Sequence, residues 1–326
     1  MAHAVTLVLG STNEDSPLIA AITSIVAAAG ADIQWERASL ADGEVCAELL
    51  DTLKKNGRAL MPYVPVNRTT GDVPPIVKLR RELGVFANIR PVQSVAGMTS
   101  RHQNVDLVVV RETTEDIYAN LEHESIEGVY ESFKVTTETA CERIAHQAFK
   151  FATRTGRKKV TIVHKANIMK KSDGLFLRTG RRVAAEYPDI EVEDVIVDAL
   201  CMKLVLYPQQ FDVLVCANLF GDIVADLCAG LVGGPHNSPS INLAKDVTIY
   251  TVGHGDPADI AFTDNASPTG LLFSSILMLR DLGEQAAADR IMQATCKTLE
   301  GSTVPTAMGG QATTTEFAKA LIASMP

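Results

Sequence analysis

Residues 4–31 read AVTLVLGSTNEDSPLIAAITSIVAAAGA, and this stretch gives the first indication of the fold class. Its first seven residues form an apolar, β-branched run that is typical of a buried strand. The polar turn that follows leads into an amphipathic helix, and we predict the N-cap of this helix at Ser11, Thr12 or Asn13. A buried strand that runs directly into a helix indicates an α/β protein.

Further short β-branched runs occur along the chain, and helical patterns separate most of them. This alternation predicts a largely parallel or mixed sheet covered by helices. The C-terminal third carries helical patterns, and a capping box from Thr313 to Glu316 marks the start of the last helix. The predicted strands are residues 105–111, 159–163, 192–197, 213–216 and 247–252, and the predicted late helices are residues 270–282, 284–299 and 316–325.

The composition is that of a globular protein. The 326 residues are 46% hydrophobic and 21% charged, with a formal net charge of −9, which disfavours nonspecific nucleic-acid binding. No apolar run approaches the roughly 18 residues of a membrane span. We therefore expect no membrane association and a cytoplasmic location, or else a mature form from which a transit segment has been removed. The six cysteines lack a CxxC pair and are predicted to be buried thiols.

Two aspartates, Asp222 and Asp226, lie four residues apart in the segment NLFGDIVADLCAG, which has helical periodicity. Both carboxylates therefore project from one face of the predicted helix, about one turn apart. Like charges at this spacing repel each other unless a cation lies between them, and divalent cations prefer hard oxygen ligands. The pair indicates either a metal site, with a third carboxylate such as Asp198, or a solvated helix face.

Three arginines are candidates for binding an anionic substrate. Arg80 and Arg90 flank a predicted helix end in KLRRELGVFANIRP, and Arg111 ends the apolar strand VDLVVVR. Together they could clamp a di- or tricarboxylate, although each could also be an ordinary ion-pair partner. Tyr118, seven residues after Arg111, and Lys165, directly after the strand KVTIVH, are candidate acid/base groups or structural residues.

A polar, glycine-containing loop follows the predicted strand VTIYTVG and begins with His254 and Gly255. Loops at strand ends are where α/β sheets bind ligands. The chain contains neither GxGxxG nor GxxxxGK(S/T). We therefore exclude a standard Rossmann fingerprint and a P-loop as the cofactor site.

Six long segments resemble the β-decarboxylating dehydrogenases, the family of isocitrate and 3-isopropylmalate dehydrogenases, and look closest to NAD-dependent isocitrate dehydrogenase. Long ordered matches of this kind are far more specific than one short motif. They cover most of residues 78–234 and parts of the C-terminal third. The segments are LRRELGVFANIRPV, DLVVVRETTEDIYANLEHE, ESFKVTTETACERIAHQAF, GRKKVTIVHKANIMKKSDGLFLR, FDVLVCANLFGDIVADLCAGLVGG and GGQATTTEFAKALI.

The resemblance implies a two-lobed α/β fold with a large mixed sheet flanked by helices. The larger, cofactor-binding lobe would hold residues 1–95 and 235–326, and the smaller α/β lobe, residues 96–234, would hold the dimer interface and the metal aspartates. The chain would cross twice between the lobes, and the cleft would hold substrate and metal. A homodimer with two shared active sites is implied, because Lys165 and Asp198 reach the site from the partner subunit in this family.

The resemblance also implies a role for each candidate residue. Bound Mg²⁺ or Mn²⁺ would chelate a 3-substituted malate and act as a Lewis acid. Lys165 would deprotonate the substrate hydroxyl, and Tyr118 would protonate the enolate carbon after CO₂ leaves. The implied metal ligands are Asp198, Asp222 and Asp226, and the implied substrate-binding residues are Arg80, Arg90, Arg111 and Asn167.

The cofactor implied by the resemblance is NAD. Relatives bind adenosine through the loop after His254, which here also contains Gly255 and Ile260. An acidic residue five positions after that histidine, here Asp259, accepts the ribose hydroxyls in NAD-using members. A carboxylate would repel a 2′-phosphate, so the resemblance favours NAD over NADP.

Several positions depart from the family pattern. The signature GDGIGPE is here GSTNEDSP at residues 10–17, and Ser267 replaces the usual Asn before a proline. Pro74 and Ile76 stand where isocitrate enzymes carry a Ser and an Asn, and neither side chain can donate a hydrogen bond to a γ-carboxylate. The residues 67–70, Asn-Arg-Thr-Thr, could instead present donors to another γ-group, such as a phosphonate.

The sequence leaves three functions open. The first is an NAD- and metal-dependent oxidative decarboxylase that acts on isocitrate or an isocitrate-like 3-substituted malate. The second is a catalytically silent regulatory subunit or pseudoenzyme of an NAD-dependent isocitrate dehydrogenase. The third is an enzyme of the same fold that dehydrogenates without decarboxylation. The first accounts best for the joint presence of the three aspartates, Tyr118 and Lys165, because buried like charges cost stability when no ion is bound.

Overall fold

The computed structural model describes residues 2–10, 16–40, 44–64, 73–253, 255, 259–261 and 263–326. The chain forms two compact units. Unit 1 consists of Met1–Leu83, Ser94–Arg101 and Val232–Pro326, and unit 2 consists of Gly84–Gln93 and His102–Leu231.

Helices and strands alternate through both units. The strands are β1 (His3–Gly10), β2 (Ile33–Leu40), β3 (Arg58–Met61), β4 (Ala87–Gln93), β5 (Asp106–Glu112), β6 (Glu122–Ile126), β7 (Val129–Ser132), β8 (Lys159–His164), β9 (Glu191–Ile196), β10 (Val213–Cys216), β11 (Pro239–Leu243) and β12 (Thr248–Val252). The helices are α1 (Pro17–Ala28), α2 (Ala47–Asn56), α3 (Pro75–Leu83), α4 (Glu138–Thr155), α5 (Ser172–Ala184), α6 (Val197–Leu206), α7 (Asn218–Leu231), α8 (Thr269–Asp281), α9 (Gln285–Glu300) and α10 (Thr314–Ser324).

In unit 1 the strand order is β2-β1-β3-β12-β11, and every neighbouring pair is parallel except β11 and β12. Helices α1, α8, α9 and α10 contribute to one apolar core with these strands. Leu7, Ile22 and Phe317 are fully buried there. Tyr250 buries its ring, and its hydroxyl donates a hydrogen bond of 2.6 Å to Asp281, as expected for a buried tyrosine.

In unit 2 the strand order is β4-β5-β10-β8-β9, with β4 antiparallel to β5 and the remaining pairs parallel. Cys216 pairs in register with Arg111 on one side and with Val163 on the other. The carboxyl ends of β5, β10 and β8 therefore meet at one edge of the sheet. The residues that follow these three strands lie at the place where open α/β sheets bind ligands.

Strands β6 and β7 form an antiparallel hairpin that is exposed along its whole length. Its apolar side chains include Ile126, which is 69% exposed, and Tyr130, which is 67% exposed. An isolated two-stranded hairpin is at best marginally stable in water. Apolar side chains exposed in this way are typical of a surface that contacts another protein.

The predicted α/β class is confirmed, and each predicted strand and late helix matches an observed element to within two residues. The predicted capping box is present: Thr313 Oγ1 accepts from the Glu316 N–H at 3.1 Å, and Glu316 Oε2 accepts from the Thr313 N–H at 2.9 Å. The predicted cysteine burial holds for Cys141, Cys216 and Cys228, whereas Cys46 is exposed.

The first helix begins later than predicted. Its N-cap is Ser16, whose Oγ accepts from the Ile19 N–H at 3.4 Å, and Pro17 takes the first helical position. Proline suits that position because its φ is preset and its missing N–H would have no helical acceptor. The predicted caps, residues 11–13, lie outside the described residues.

The unit boundaries also differ from the predicted lobes. Residues 84–93 lie in unit 2 because β4 pairs with β5, whereas residues 94–101 lie in unit 1, where Val95 and Met98 join the core. The chain consequently crosses between the units at four points, after residues 83, 93, 101 and 231, instead of the two predicted. Within the described residues, no helix combines the length and apolarity that crossing a membrane requires.

Candidate active site

Arg111 lies at the carboxyl end of β5, and α7 begins two residues after the neighbouring strand β10 ends. The arginine side chain is 5% exposed. Its Nε and Nη2 donate to Oδ1 of Asn218 at 3.0 and 2.8 Å, and its Nη1 donates to Oδ1 of Asp222. A buried guanidinium requires such acceptors, and here both acceptors come from the first two turns of α7.

Tyr118 completes this cluster. It lies on a short 3₁₀ turn, Ile117–Ala119, and its hydroxyl donates to Oδ2 of Asp222 at 2.5 Å. The Arg111 guanidinium lies 5.1 Å from the centre of the tyrosine ring, within the range of a cation–π contact. Arg111, Tyr118 and Asp222, which we predicted as separate site residues, are thus in direct contact with one another.

The tyrosine is held in its protonated form. Burial, followed by the hydrogen bond to Asp222 and its charge, raises the pKa of Tyr118 to about 12. The nearby Arg111 opposes this shift but does not cancel it. At neutral pH the hydroxyl therefore carries a proton that it can donate.

The close approach of β5 to α7 depends on Gly221. A Cβ added at this residue would lie 2.7 Å from both Cβ and Cγ of Arg111 and 3.2 Å from Cβ of Cys216. These separations are well below normal carbon–carbon contact. Glycine at this position therefore lets the arginine side chain lie flat against the helix.

Asp226 lies one turn after Asp222, as the spacing predicted. Its Oδ1 accepts from Nη1 of Arg90, on β4, at 2.7 Å. Arg90 is 7% exposed at its side chain, and its Nη2 atom is buried without a hydrogen-bond partner among the residues that the structure describes. A buried, unpaired guanidinium N–H is costly.

The two aspartates have the chemistry of a divalent-cation site. The side chain of Asp222 is 38% exposed and that of Asp226 is 43% exposed, so a cation can reach them from solvent. Carboxylate oxygens are the ligands that Mg²⁺ and Mn²⁺ prefer. Each carboxylate is paired with an arginine, so this helix face is not simply solvated, and the metal site stays a prediction.

Lys165 and the third predicted metal ligand, Asp198, pair with each other. Lys165 follows β8, and its Nζ donates to Oδ1 of Asp198 in the first turn of α6. This hydrogen bond lowers the pKa of Asp198. In the described ranges, no three His, Cys, Asp or Glu side chains are grouped so that they could hold a metal. One chain thus presents Asp222 and Asp226 but does not bring Asp198 to them.

The other predicted ligand-binding residues belong to both units. Asn167 is exposed in the turn after β8. Arg80 lies in unit 1, on α3, and its Nε donates to Oδ1 of Asn242 at 2.8 Å. Pro74 is exposed just before α3 and Ile76 lies in its first turn, while residues 67–70 lie outside the described part of the chain.

The predicted cofactor loop lies in unit 1. Gly255 lines a cavity together with Tyr63, His236, Val252 and Ser267, and a Cβ added at Gly255 would overlap the Tyr63 ring. The imidazole Nδ1 of His236 lies 2.8 Å from Ser267 Oγ, the residue that replaces the family asparagine. Asp259 and Ile260 lie in a turn that follows β12 in the sequence. His254 lies outside the described residues.

Sequence reasoning missed Asn218, which anchors Arg111 with two hydrogen bonds, and Gly221, which makes room for it. It also missed Asp116, at φ 77° and ψ −152° directly before the tyrosine turn. One signal was available for Asn218: it opens a helix just after a buried strand, where α/β proteins bind ligands. The Gly221 contact joins segments about 110 residues apart, so no local pattern indicates it.

The sequence model that describes isocitrate/isopropylmalate dehydrogenases matches residues 17–321. The chain belongs to this family. Known members of the isocitrate/isopropylmalate dehydrogenase family align with nearly its whole length. The chain is 42% identical over 304 residues to a mitochondrial regulatory subunit of NAD isocitrate dehydrogenase from Dictyostelium discoideum, covering 92% of this chain and 86% of that protein.

Catalytic subunits and related dehydrogenases match as well. Mitochondrial catalytic subunit 5 of NAD isocitrate dehydrogenase from Arabidopsis thaliana is 41% identical over 309 residues, covering 92% of this chain and 83% of that protein. The chloroplastic 3-isopropylmalate dehydrogenase of Solanum tuberosum is 44% identical over 259 residues, covering 79% and 72%. The crystal structure of isocitrate dehydrogenase from Methylococcus capsulatus superposes with a TM-score of 0.90 at 37% identity, covering 99% of both chains.

Proposed function

We propose that this protein is an NAD- and metal-dependent dehydrogenase that oxidatively decarboxylates a 3-substituted malate to a 2-oxo acid and CO₂. One observation carries the proposal. Asp222 contacts both the guanidinium of Arg111 and the hydroxyl of Tyr118, so the carboxylate proposed as a metal ligand, the proposed anion-binding group and the proposed proton donor lie together. Membership of the isocitrate/isopropylmalate dehydrogenase family supports the same chemistry.

The chain's own residues bind the substrate and move protons. Arg90 and Arg111 bind substrate carboxylates. Lys165 accepts the proton of the substrate hydroxyl. Tyr118 donates a proton to the enolate carbon after CO₂ has left, and its raised pKa means that the hydroxyl is protonated at neutral pH. Arg80 and Asn167 are proposed as further substrate contacts.

Two bound groups would supply the remaining chemistry. A divalent metal on Asp222 and Asp226 would act as a Lewis acid toward the substrate's carbonyl oxygen, and NAD would accept the hydride. We assign NAD to the loop that contains His254, Gly255, Asp259 and Ile260. The Asp259 carboxylate favours ribose hydroxyls over a 2′-phosphate.

The test is the formation of NADH by the purified protein with Mg²⁺ or Mn²⁺. The substrates are isocitrate, homoisocitrate, 3-isopropylmalate, tartrate and a phosphonomethyl analogue, each with NAD and with NADP. Because Pro74 and Ile76 cannot donate side-chain hydrogen bonds, the preferred γ-group is decided by this panel. Asp222→Asn should abolish turnover, whereas Asp189→Asn, which changes an exposed aspartate after α5, should not. Absence of turnover across the panel would contradict the proposal and favour a regulatory subunit.

We also propose that the protein is a homodimer in which each chain lends Lys165 and Asp198 to the site of the other. Three observations support it. Asp198 is paired with Lys165 and is not grouped with Asp222 and Asp226. The hairpin β6–β7 exposes apolar side chains, and so does α6, where Met202 is 57% exposed. Surfaces of this kind are typical of subunit contacts.

Mixing two inactive variants tests the shared site. Lys165→Met and Asp222→Asn should each be inactive alone. After subunit exchange in equal amounts, about a quarter of wild-type activity should return, since half of the dimers are mixed and each mixed dimer has one intact site. No recovery, in mixtures shown by mass spectrometry to contain mixed dimers, would mean that both residues act within one chain.

A further inference from the structure

Lys134 lies at the centre of a buried ionic cluster in unit 2. Its side chain is 15% exposed, and its Nζ lies 2.8 Å from Oδ1 of Asp173 and 3.6 Å from Oδ2 of Asp116. The side chain of Asp173 is 2% exposed and that of Asp116 is 3% exposed. Nζ also lies 4.9 Å from the centre of the Phe220 ring on α7. One ammonium group therefore contacts three segments that are far apart in the sequence.

Asp116 and Phe220 lie on segments of the chain's own proposed site, and Asp173 contacts Lys165, which the chain is proposed to lend to its partner's site. Asp116 Oδ1 accepts from the Ile117 N–H at 2.8 Å, and this bond begins the turn that carries Tyr118. Asp116 Oδ2 accepts from the Leu219 N–H at 3.1 Å, in the first turn of α7. That helix carries Asp222 and Asp226. The Asp116 carboxylate thus links the tyrosine turn to the metal-ligand helix.

Asp173 makes the corresponding link to the lysine. It lies in the first turn of α5, and its Oδ2 accepts from the backbone N–H of Lys165 at 2.6 Å. Hydrogen bonds from amides to a carboxylate are charge-assisted and strong. Asp173 accepts from the backbone of Lys165 through Oδ2 and forms an ion pair with Lys134 through Oδ1, an oxygen that has no hydrogen-bond partner among the described residues. The position of Lys165 therefore depends on the charge of Lys134.

The backbone around the cluster is constrained as well. Asp116 has φ 77° and ψ −152°, a conformation that residues with a Cβ rarely adopt. Its N–H donates to the carbonyl of Val135 at 2.9 Å, and the Val135 N–H donates back at 3.4 Å. Val135 is the next residue after Lys134, so side chain and backbone hold Asp116 together. Unfavourable backbone geometry that its surroundings enforce is frequent at functional sites.

We propose that Lys134 is a positioning residue that holds the Tyr118 turn, the Lys165 loop and the first turn of α7 in one arrangement. The role of these segments in catalysis rests on the proposed function. The two carboxylates on one ammonium leave a formal charge of −1, which the Ile117, Leu219 and Lys165 amides stabilise. Removal of the ammonium would leave two buried carboxylates in repulsion, and the three amide hydrogen bonds would weaken together.

The test compares Lys134→Met with Lys159→Met. Lys159 is a matched control in the same unit: its side chain is 19% exposed, its Nζ lies 3.3 Å from Glu193, and it lies 5.9 Å from the Phe211 ring. Amide hydrogen exchange is followed at Ile117, Lys165 and Leu219. Lys134→Met should speed exchange at all three by about tenfold or more, because each amide loses part of a bond to a charged acceptor. Lys159→Met should change none of them.

Kinetics separates positioning from general destabilisation. Lys134→Met should lower kcat by at least about tenfold and change KM for substrate by less than about twofold, since misplaced acid/base groups affect the reaction step more than binding. Lys134→Arg, which keeps the charge, should recover most of the exchange protection and of kcat. An increase in KM at constant kcat, or no recovery with arginine, would contradict the positioning role.

A second variant keeps the test decisive if Lys134→Met does not fold. Asp173→Asn removes one charge with little change in shape, and it should speed exchange at Lys165 more than at Leu219. The inference would be overturned if each of the three amides exchanged at the same rate in the wild type and in all folded variants. It would also be overturned if the exchange rates rose uniformly, including that of the Val163 amide in the sheet. The exchange measurement requires no turnover. An inactive wild-type protein would therefore refute the proposed function, while the exchange rates would still test the role of Lys134.

Discussion

The contact between Gly221 and Arg111 allows a quantitative test of the site. In Gly221→Ala the new Cβ would lie 2.7 Å from Cβ and Cγ of Arg111. Carbon atoms prefer separations of about 3.5–4.0 Å, so the arginine side chain must move by roughly 1 Å. That movement pulls the guanidinium away from Asn218 and Asp222, which it now contacts.

The expected stability change combines two opposing terms. Overpacking a tight core costs about 1–3 kcal/mol, while glycine to alanine in a helix interior contributes about 1 kcal/mol of stability. Gly221→Ala should therefore be destabilised by about 0–2 kcal/mol. Gly230→Ala is the matched control because Gly230 lies on the same helix with no atom within 4 Å of an added Cβ. The difference between the two variants, about 1–3 kcal/mol, isolates the overpacking.

The effect on activity should be larger than the effect on stability. A displacement of about 1 Å in a positioning group can cost about 100-fold in rate. We expect kcat/KM of Gly221→Ala to fall by about that factor and kcat/KM of Gly230→Ala to stay at the wild-type value. Urea unfolding and NADH formation measure the two quantities. The reasoning would be refuted if both variants gained stability equally and Gly221→Ala kept full activity.

Three further predictions concern single elements. Thr313→Ala removes the cap of α10 and should lower the free energy of unfolding by about 1 kcal/mol. An unchanged midpoint of urea denaturation would contradict this prediction. Burial alone would raise the pKa of Asp194, but hydrogen bonds from Arg181 and a histidine hold it below its usual value. A lowered pKa contributes stability above the unfolded pKa, about 3.9, that disappears as the pH falls through the folded pKa. The destabilisation by Asp194→Asn should therefore be larger at pH 7 than at pH 3, and an equal loss at both would exclude this cause. At pH 8 a thiol reagent should modify the exposed Cys46 first, whereas Cys216, whose pKa is raised by burial, should react only after unfolding, as peptide mass spectrometry would report.

Features that depend on a few neighbouring residues could be predicted from the sequence. The alternation of β-branched runs with helical segments predicted the α/β class, because burial on both faces of a parallel sheet requires continuous apolar strands. The capping box at Thr313 joins two residues three apart, so its hydrogen bonds form whenever the helix does. The spacing of Asp222 and Asp226 likewise places both carboxylates on one helix face, whatever surrounds the helix.

Contacts between distant segments could not be predicted from the sequence and became apparent only in the tertiary structure. Burial of Arg111 against α7 requires Gly221, and Asn218 satisfies the guanidinium, but neither pairing has a local signature. Lys134 reaches two buried carboxylates on separate segments, and an isolated lysine in the sequence looks like any solvated charge. The physical reason is the same in each case: the cost of burying a charge or a close contact depends on partners that only the folded chain brings together.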